Sequence, residues 1–149
     1  MKILFQGDSV TDAGRDRSQS SDMGFGYPKY ASAMLEDAFP DIDFAFVNLG
    51  ISGNRTEDLV ARMQSDFIEI QPDIVSIMIG INDVWHHYAF SGIYTSNEAF
   101  EQNYTTLLEE IKQKTAAKIM IIQPFLIDVP DKQVLKAELA EKHVIVKAL

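Results

Sequence analysis

The sequence predicts an α/β protein built on a doubly wound parallel sheet, and three observations predict it. Strand-like and helix-like segments alternate as β-α-β-α-β-α-β-α, the pattern of a parallel sheet with right-handed crossovers. The most continuously apolar run, residues 74–79, lacks the alternation of a half-exposed strand and reads as a central strand covered on both faces. Three predicted strand ends close on a glycine with polar residues beside it: Gly7, Gly50 and Gly80. In open parallel sheets such ends form the rim where ligands bind.

The elements follow in order. Ile3, Leu4 and Phe5 form a short buried strand closed by Gly7. Residues 11–23 are polar and read as a loop. Residues 27–39 place Tyr27, Tyr30, Ala31, Met34, Leu35 and Ala38 at helical spacing, with Pro28 in the first turn and Pro40 as the stop. Residues 44–49 are the second strand. Thr56 reads as the N-cap of a helix running to about residue 70, with Glu57 and Asp58 well placed for the helix dipole. After the third strand, residues 84–95 read as a loop rich in aromatics that also holds His86 and His87. Ser96 or Asn97 caps the next helix, which buries Phe100, Tyr104, Leu107, Leu108 and Ile111. Residues 118–123 are the fourth strand. A loop over 124–131 leads to a last helix from about residue 132, with Val134, Leu135, Leu139, Val144 and Val146 as its apolar set.

Composition bounds the function. The chain has 149 residues, enough for one domain with a substantial core. Apolar residues make up 46% and charged residues 23%, as in an ordinary globular protein. The formal net charge of −9 repels a phosphate backbone and an anionic bilayer, which argues against nucleic-acid and membrane partners. With no cysteine, disulfides, thiolate catalysis and Cys-based zinc sites are excluded. The N-terminal apolar run is too short for a signal peptide, and no run approaches the ~18 residues of a membrane span. The expectation is a cytoplasmic protein.

The rim residues are parts for acyl transfer. Ser9 follows a strand on a tight turn, so its hydroxyl can project from the rim. Gly53 lets a backbone N–H approach a ligand closely, and Asn82 offers a side-chain amide. A developing oxyanion needs such pre-aimed donors. Singly, Gly-Asp-Ser, Gly-Ile-Ser-Gly and Gly-Ile-Asn-Asp are each ordinary turns. Their order, each at a strand end, is what points to a site.

In these three blocks the chain resembles the SGNH hydrolase superfamily of GDSL-type esterases and lipases, whose fold is flavodoxin-like and three-layered. Gly7-Asp8-Ser9 matches the first block, Gly50-Ile51-Ser52-Gly53 the second and Gly80-Ile81-Asn82-Asp83 the third. The resemblance implies Ser9 as nucleophile, with the Ser9 N–H, the Gly53 N–H and the Asn82 side chain as oxyanion donors. It implies no metal and no cofactor. The wording of Val10-Thr11-Asp12-Ala13-Gly14-Arg15, Gly24-Phe25-Gly26-Tyr27 and Val84-Trp85 is nearest to intracellular carbohydrate acetyl esterases. That implies a small-molecule ester or acetylated oligosaccharide as substrate, with Asp8, Asn54, Asp83 and Trp85 as further binding candidates. Trp85 and Tyr88 have rings able to stack on a sugar.

The family's last block, Asp-x-x-His, supplies the general base and the residue that orients it. No such block follows the fourth strand. Asp83-Val84-Trp85-His86 has the spelling but overlaps the third block, and His143 reads as a surface residue of the last helix. The expectation is therefore a single domain, shortened at its C-terminal end by a strand and a helix, and nearly inactive alone. The alternative is a catalytically dead binding or self-associating module, pairing through the apolar edge Ile119-Met120-Ile121-Ile122. A phosphoryl-transfer site on Asp8, Asp12 and Asp83 lacks both an Asp-x-Asp start and a phosphate loop.

Overall fold

Strands with apolar residues on both faces need cover on both faces. A computed structural model, which describes residues 1–149, shows that cover to be uneven. Strands β1 (Lys2–Gly7), β2 (Ala45–Asn48), β3 (Ile74–Met78) and β4 (Lys118–Ile122) form one parallel sheet in the order β2-β1-β3-β4. The register sets Leu4 beside Val75, and Val75 beside Ile119. The helices are α1 (Ser9–Asp12), α2 (Tyr27–Ala38), α3 (Thr56–Ala61), α4 (Ile81–Ala89), α5 (Asn97–Lys114) and α6 (Leu135–Ala148). None is long and apolar enough to cross a membrane.

One sheet face carries the core. Leu4, Val75, Ile77 and Ile79 meet Leu59 of α3 and Phe100, Tyr104 and Leu107 of α5, all at most 2% exposed. Each such side chain contributes roughly 1.5–3 kcal/mol by leaving water. The opposite face has only α2, which sets Ala31 and Leu35 over Ile3 and Phe5. An apolar groove of about 420 Å³ remains there, reaching Ile74 and Met120. Met120, on the edge strand β4, stays 50% exposed.

Several elements depart from the sequence expectation. In α2, Tyr30 and Met34 point to solvent at 66% and 71% exposure, since a single covering helix can turn only one narrow stripe to the sheet. The expected helix over 56–70 is split: α3 stops at Ala61, and a π-helical turn, Gln64–Ile68, brings Phe67 into the core. Thr56 is the first helical residue, not the cap; the Arg55 N–H is met by the Asp58 carboxylate at 2.7 Å. Residues 84–89 are helix rather than loop, because Val84 packs between Leu135 and Leu139 of α6. In α6, Val134 and Val144 face solvent, while Lys142 is completely buried. Ser96 does cap α5, accepting the Ala99 N–H at 3.1 Å.

Candidate active site

The chain steps from β1 to β2 on one side and from β3 to β4 on the other, so the loops after β1 and β3 part and leave a crevice. Ser9 stands on one wall. The Asp8 carboxylate caps α1 by accepting the Val10 N–H at 3.0 Å, which fixes Ser9 at the first helical position. There its own N–H has no intrahelical acceptor. Its side chain is exposed. On the other wall stands Asn82, in the first turn of α4. Gly80 starts that helix at φ +129, and a Cβ there would press on Phe100 and Pro124 at 3.0–3.1 Å, so only glycine fits.

Ser9 and Asn82 line one cavity of about 500 Å³. Trp85, one turn beyond Asn82, lines it too. The far wall comes from the segment after β4 and the start of α6, where Phe125, Leu126, Ile127, Lys132 and Leu135 face inward. The sequence marked none of these five as site residues. The available signal was position: they follow the fourth strand end, on the same rim as the three marked ones.

The loop after β2 is clamped from both sides. From the first strand's side, the Ser52 N–H donates to Asp12 at 2.9 Å, and Arg15 Nε donates to the Gly50 carbonyl at 3.0 Å. Burial pushes the Asp12 carboxyl up, but Arg17 and the Ser52 N–H outweigh it and hold it below its usual value. From the third strand's side, Asn82 Nδ2 donates to the Asn54 carbonyl at 3.0 Å, leaving its second hydrogen free. Gly53 sits between these clamps at φ +87, with no atom within 4 Å of where a Cβ would be. It is not on the cavity wall described above.

Asp83 and Asp8 do not reach a ligand. Asp83 is 0% exposed. Its oxygens accept the Thr56 hydroxyl at 2.6 Å and the Thr56 N–H at 3.0 Å, tying α3 to α4. Asp8 is 1% exposed and spends its carboxylate on the helix cap. Burial raises both carboxyls to about 6. Both carboxylates, expected as binding candidates, lie buried inside the rim and outside the cavity lining. Asn54 is partly exposed, but its Oδ1 accepts Arg62 Nε at 3.0 Å. Tyr88 lies outside the cavity lining, on the exposed side of α4.

None of the three histidines lines the cavity with Ser9. His86 packs edge-on against Phe90 and has its pKa lowered by burial. His87 pairs with Glu138 at 2.9 Å. His143 is half-buried rather than on the surface, bonded through Nε2 to the Pro124 carbonyl at 2.6 Å. No group of three or more histidine or carboxylate side chains converges to hold a metal ion.

The parallel sheet is of the flavodoxin-like α/β class and brings a serine and an amide to one rim cavity. The chain belongs to the GDSL-like lipase/acylhydrolase family, whose model matches residues 5–147. It is 39% identical over 134 residues to an acetylxylan esterase from Geobacillus stearothermophilus, an alignment covering 85% of this chain. The chain spans 61% of that relative's length. It also superposes on a crystal structure of a catalytic mutant of that bacterium's acetylxylan esterase, in which a histidine is replaced by alanine. There the TM-score is 0.90 at 35% identity, over 99% of this chain and 70% of the other. An alpha/beta hydrolase enzyme from the metagenome of Lake Arreo, Spain, gives a TM-score of 0.90 at 30% identity, over 99% and 71% of the two chains.

Proposed function

We propose that this chain carries the serine and oxyanion part of an esterase that removes acyl groups, foremost O-acetyl groups, from a carbohydrate. The observation that carries the reading is the shared cavity: an exposed Ser9 on one wall and the free hydrogen of the Asn82 amide on the other. Ser9 Oγ attacks the ester carbonyl carbon. The carbonyl oxygen takes up the negative charge and is met by Asn82, the Ser9 N–H and the Gly53 N–H. Collapse expels the sugar hydroxyl and leaves an acyl-serine, which water then hydrolyses. The acetylxylan esterase relatives support an acetylated sugar as the ester.

The attack also requires a base to take the Ser9 proton. None of His86, His87 and His143 lines the cavity, so it holds the electrostatic half of the machinery without the proton-transfer half. Loss of the base in a serine hydrolase costs on the order of 10⁶ in turnover, while oxyanion stabilisation and binding persist. The 149-residue chain is therefore expected to hydrolyse p-nitrophenyl acetate slowly but measurably above background. That residual does not need the serine, so Ser9 is tested by slow labelling with a fluorophosphonate, which the native chain is expected to take up and Ser9→Ala is not. Equal labelling of the two chains sinks the assignment of Ser9.

A second reading, assembly of copies through β4, is supported by the half-exposed Met120 on that edge strand and the apolar groove beside it.

A further inference from the structure

The cavity that holds Ser9 contains one charged side chain, Lys132, and no carboxylate. Lys132 is half-buried, and its ammonium lies 3.4 Å from the centroid of the Trp85 ring. It is in no ion pair. Its ammonium has no hydrogen-bond partner either, and the nearby Asp128 is spent on Lys136 at 2.8 Å. An indole face attracts a cation but accepts no N–H in the way a carboxylate does. The Lys132 donors are thus unspent, in a cavity mouth, on a chain whose net charge is −9.

An unpaired ammonium in an otherwise apolar cavity is a receptor for an anion. An acetyl group carries no charge and cannot supply it. The charge must come from the alcohol half of the ester. We propose that Lys132 selects acylated carbohydrates bearing a carboxylate, the uronic-acid type of sugar, and leaves the Trp85 ring to receive them. The proposal rests on the ester-hydrolase reading above. When the acidic sugar binds, its carboxylate draws Lys132 into a charge-assisted hydrogen bond, and the ring face that Lys132 covered becomes free for stacking.

Trp85 is the chain's single tryptophan, so its fluorescence reports this cavity without requiring turnover. The chain is titrated with an acetylated xylo-oligosaccharide carrying one glucuronate, and with the neutral oligosaccharide of the same length. The acidic ligand is expected to shift Trp85 emission at roughly fivefold lower concentration, the weight of a partly solvated ion pair. Lys132→Met is expected to abolish the preference and Lys132→Arg to keep it, while 0.5 M NaCl weakens it. Equal affinity for both ligands in the native chain overturns the proposal, as does a preference that survives Lys132→Met, or absence of binding by either. Fluorophosphonate labelling of the native and Ser9→Ala chains runs in parallel. Ser9-dependent labelling with no acidic preference defeats the role of Lys132 alone; labelling that ignores Ser9→Ala defeats the esterase reading beneath it.

Discussion

Asp83 shows how a residue beside the chemistry serves it without touching substrate. Its carboxyl, raised to about 6 by burial, stays protonated in the fold where it would be ionised in the unfolded chain. The sign follows from linkage. Between pH ~4 and ~6 the folded state holds a proton that the unfolded state has lost, so this group's stabilisation falls as pH rises and levels off above ~6. Asp83→Asn removes the titration. The stability of the native chain relative to Asp83→Asn is expected to fall by about 2–3 kcal/mol from pH 4 to pH 7, as urea unfolding at both values would show. A constant difference would mean that Asp83 does not titrate in this range. Lys142 is a second buried titratable group, donating to the Thr95 carbonyl at 2.8 Å and to Asn97 Oδ1 at 2.9 Å. Lys142→Ala strands two acceptors and is expected to cost about 2–4 kcal/mol in the same assay. Neither buried partner set was legible in the sequence. A charged residue looks the same whether it faces water or a carbonyl forty-seven positions away.

At the scale of elements, the helix after β3 is the instructive case. Nine residues, two of them histidine and two aromatic, carry little intrinsic helix preference. Their helix is made by tertiary contact, with Val84 set between Leu135 and Leu139, and by the start that Gly80 permits. This element turns Asn82 and Trp85 into the cavity. Gly80→Ala meets both a φ of +129 and the Phe100 ring, and is expected to destabilise by about 2–4 kcal/mol. A thermal melt within 1–2 °C of the native chain would refute that, since the shift expected of a chain this size is several degrees. By contrast, the start and the apolar face of α5 were readable, although the helix runs three residues past the expected end at Ile111. Its cap and its apolar face are written locally, and Ser96→Ala is expected to cost about 1 kcal/mol.

The whole molecule is asymmetric. One sheet face is closed by α3, α5 and α6, and the other has α2 alone, with an apolar groove running out to the edge strand. Edge strands of this kind pair unless charge prevents it. If copies associate through β4, Met120→Lys is expected to return a self-associating chain to monomer, with little loss of stability because Met120 is half in water. Sedimentation at tens of micromolar decides between that outcome and a native chain that is already monomeric.

The sequence by itself determined the α/β alternation, the parallel sheet, and Ser9, Gly53 and Asn82 as rim residues. All of these are encoded in short runs where period, glycine and strand end coincide. Tertiary structure decided the rest. It buried Asp8 and Asp83, set Lys132 on Trp85, and kept all three histidines off the wall of the cavity that holds Ser9. Burial and partnership between distant residues arise only when helices from the two ends of the chain meet over the sheet. No local pattern contains that information.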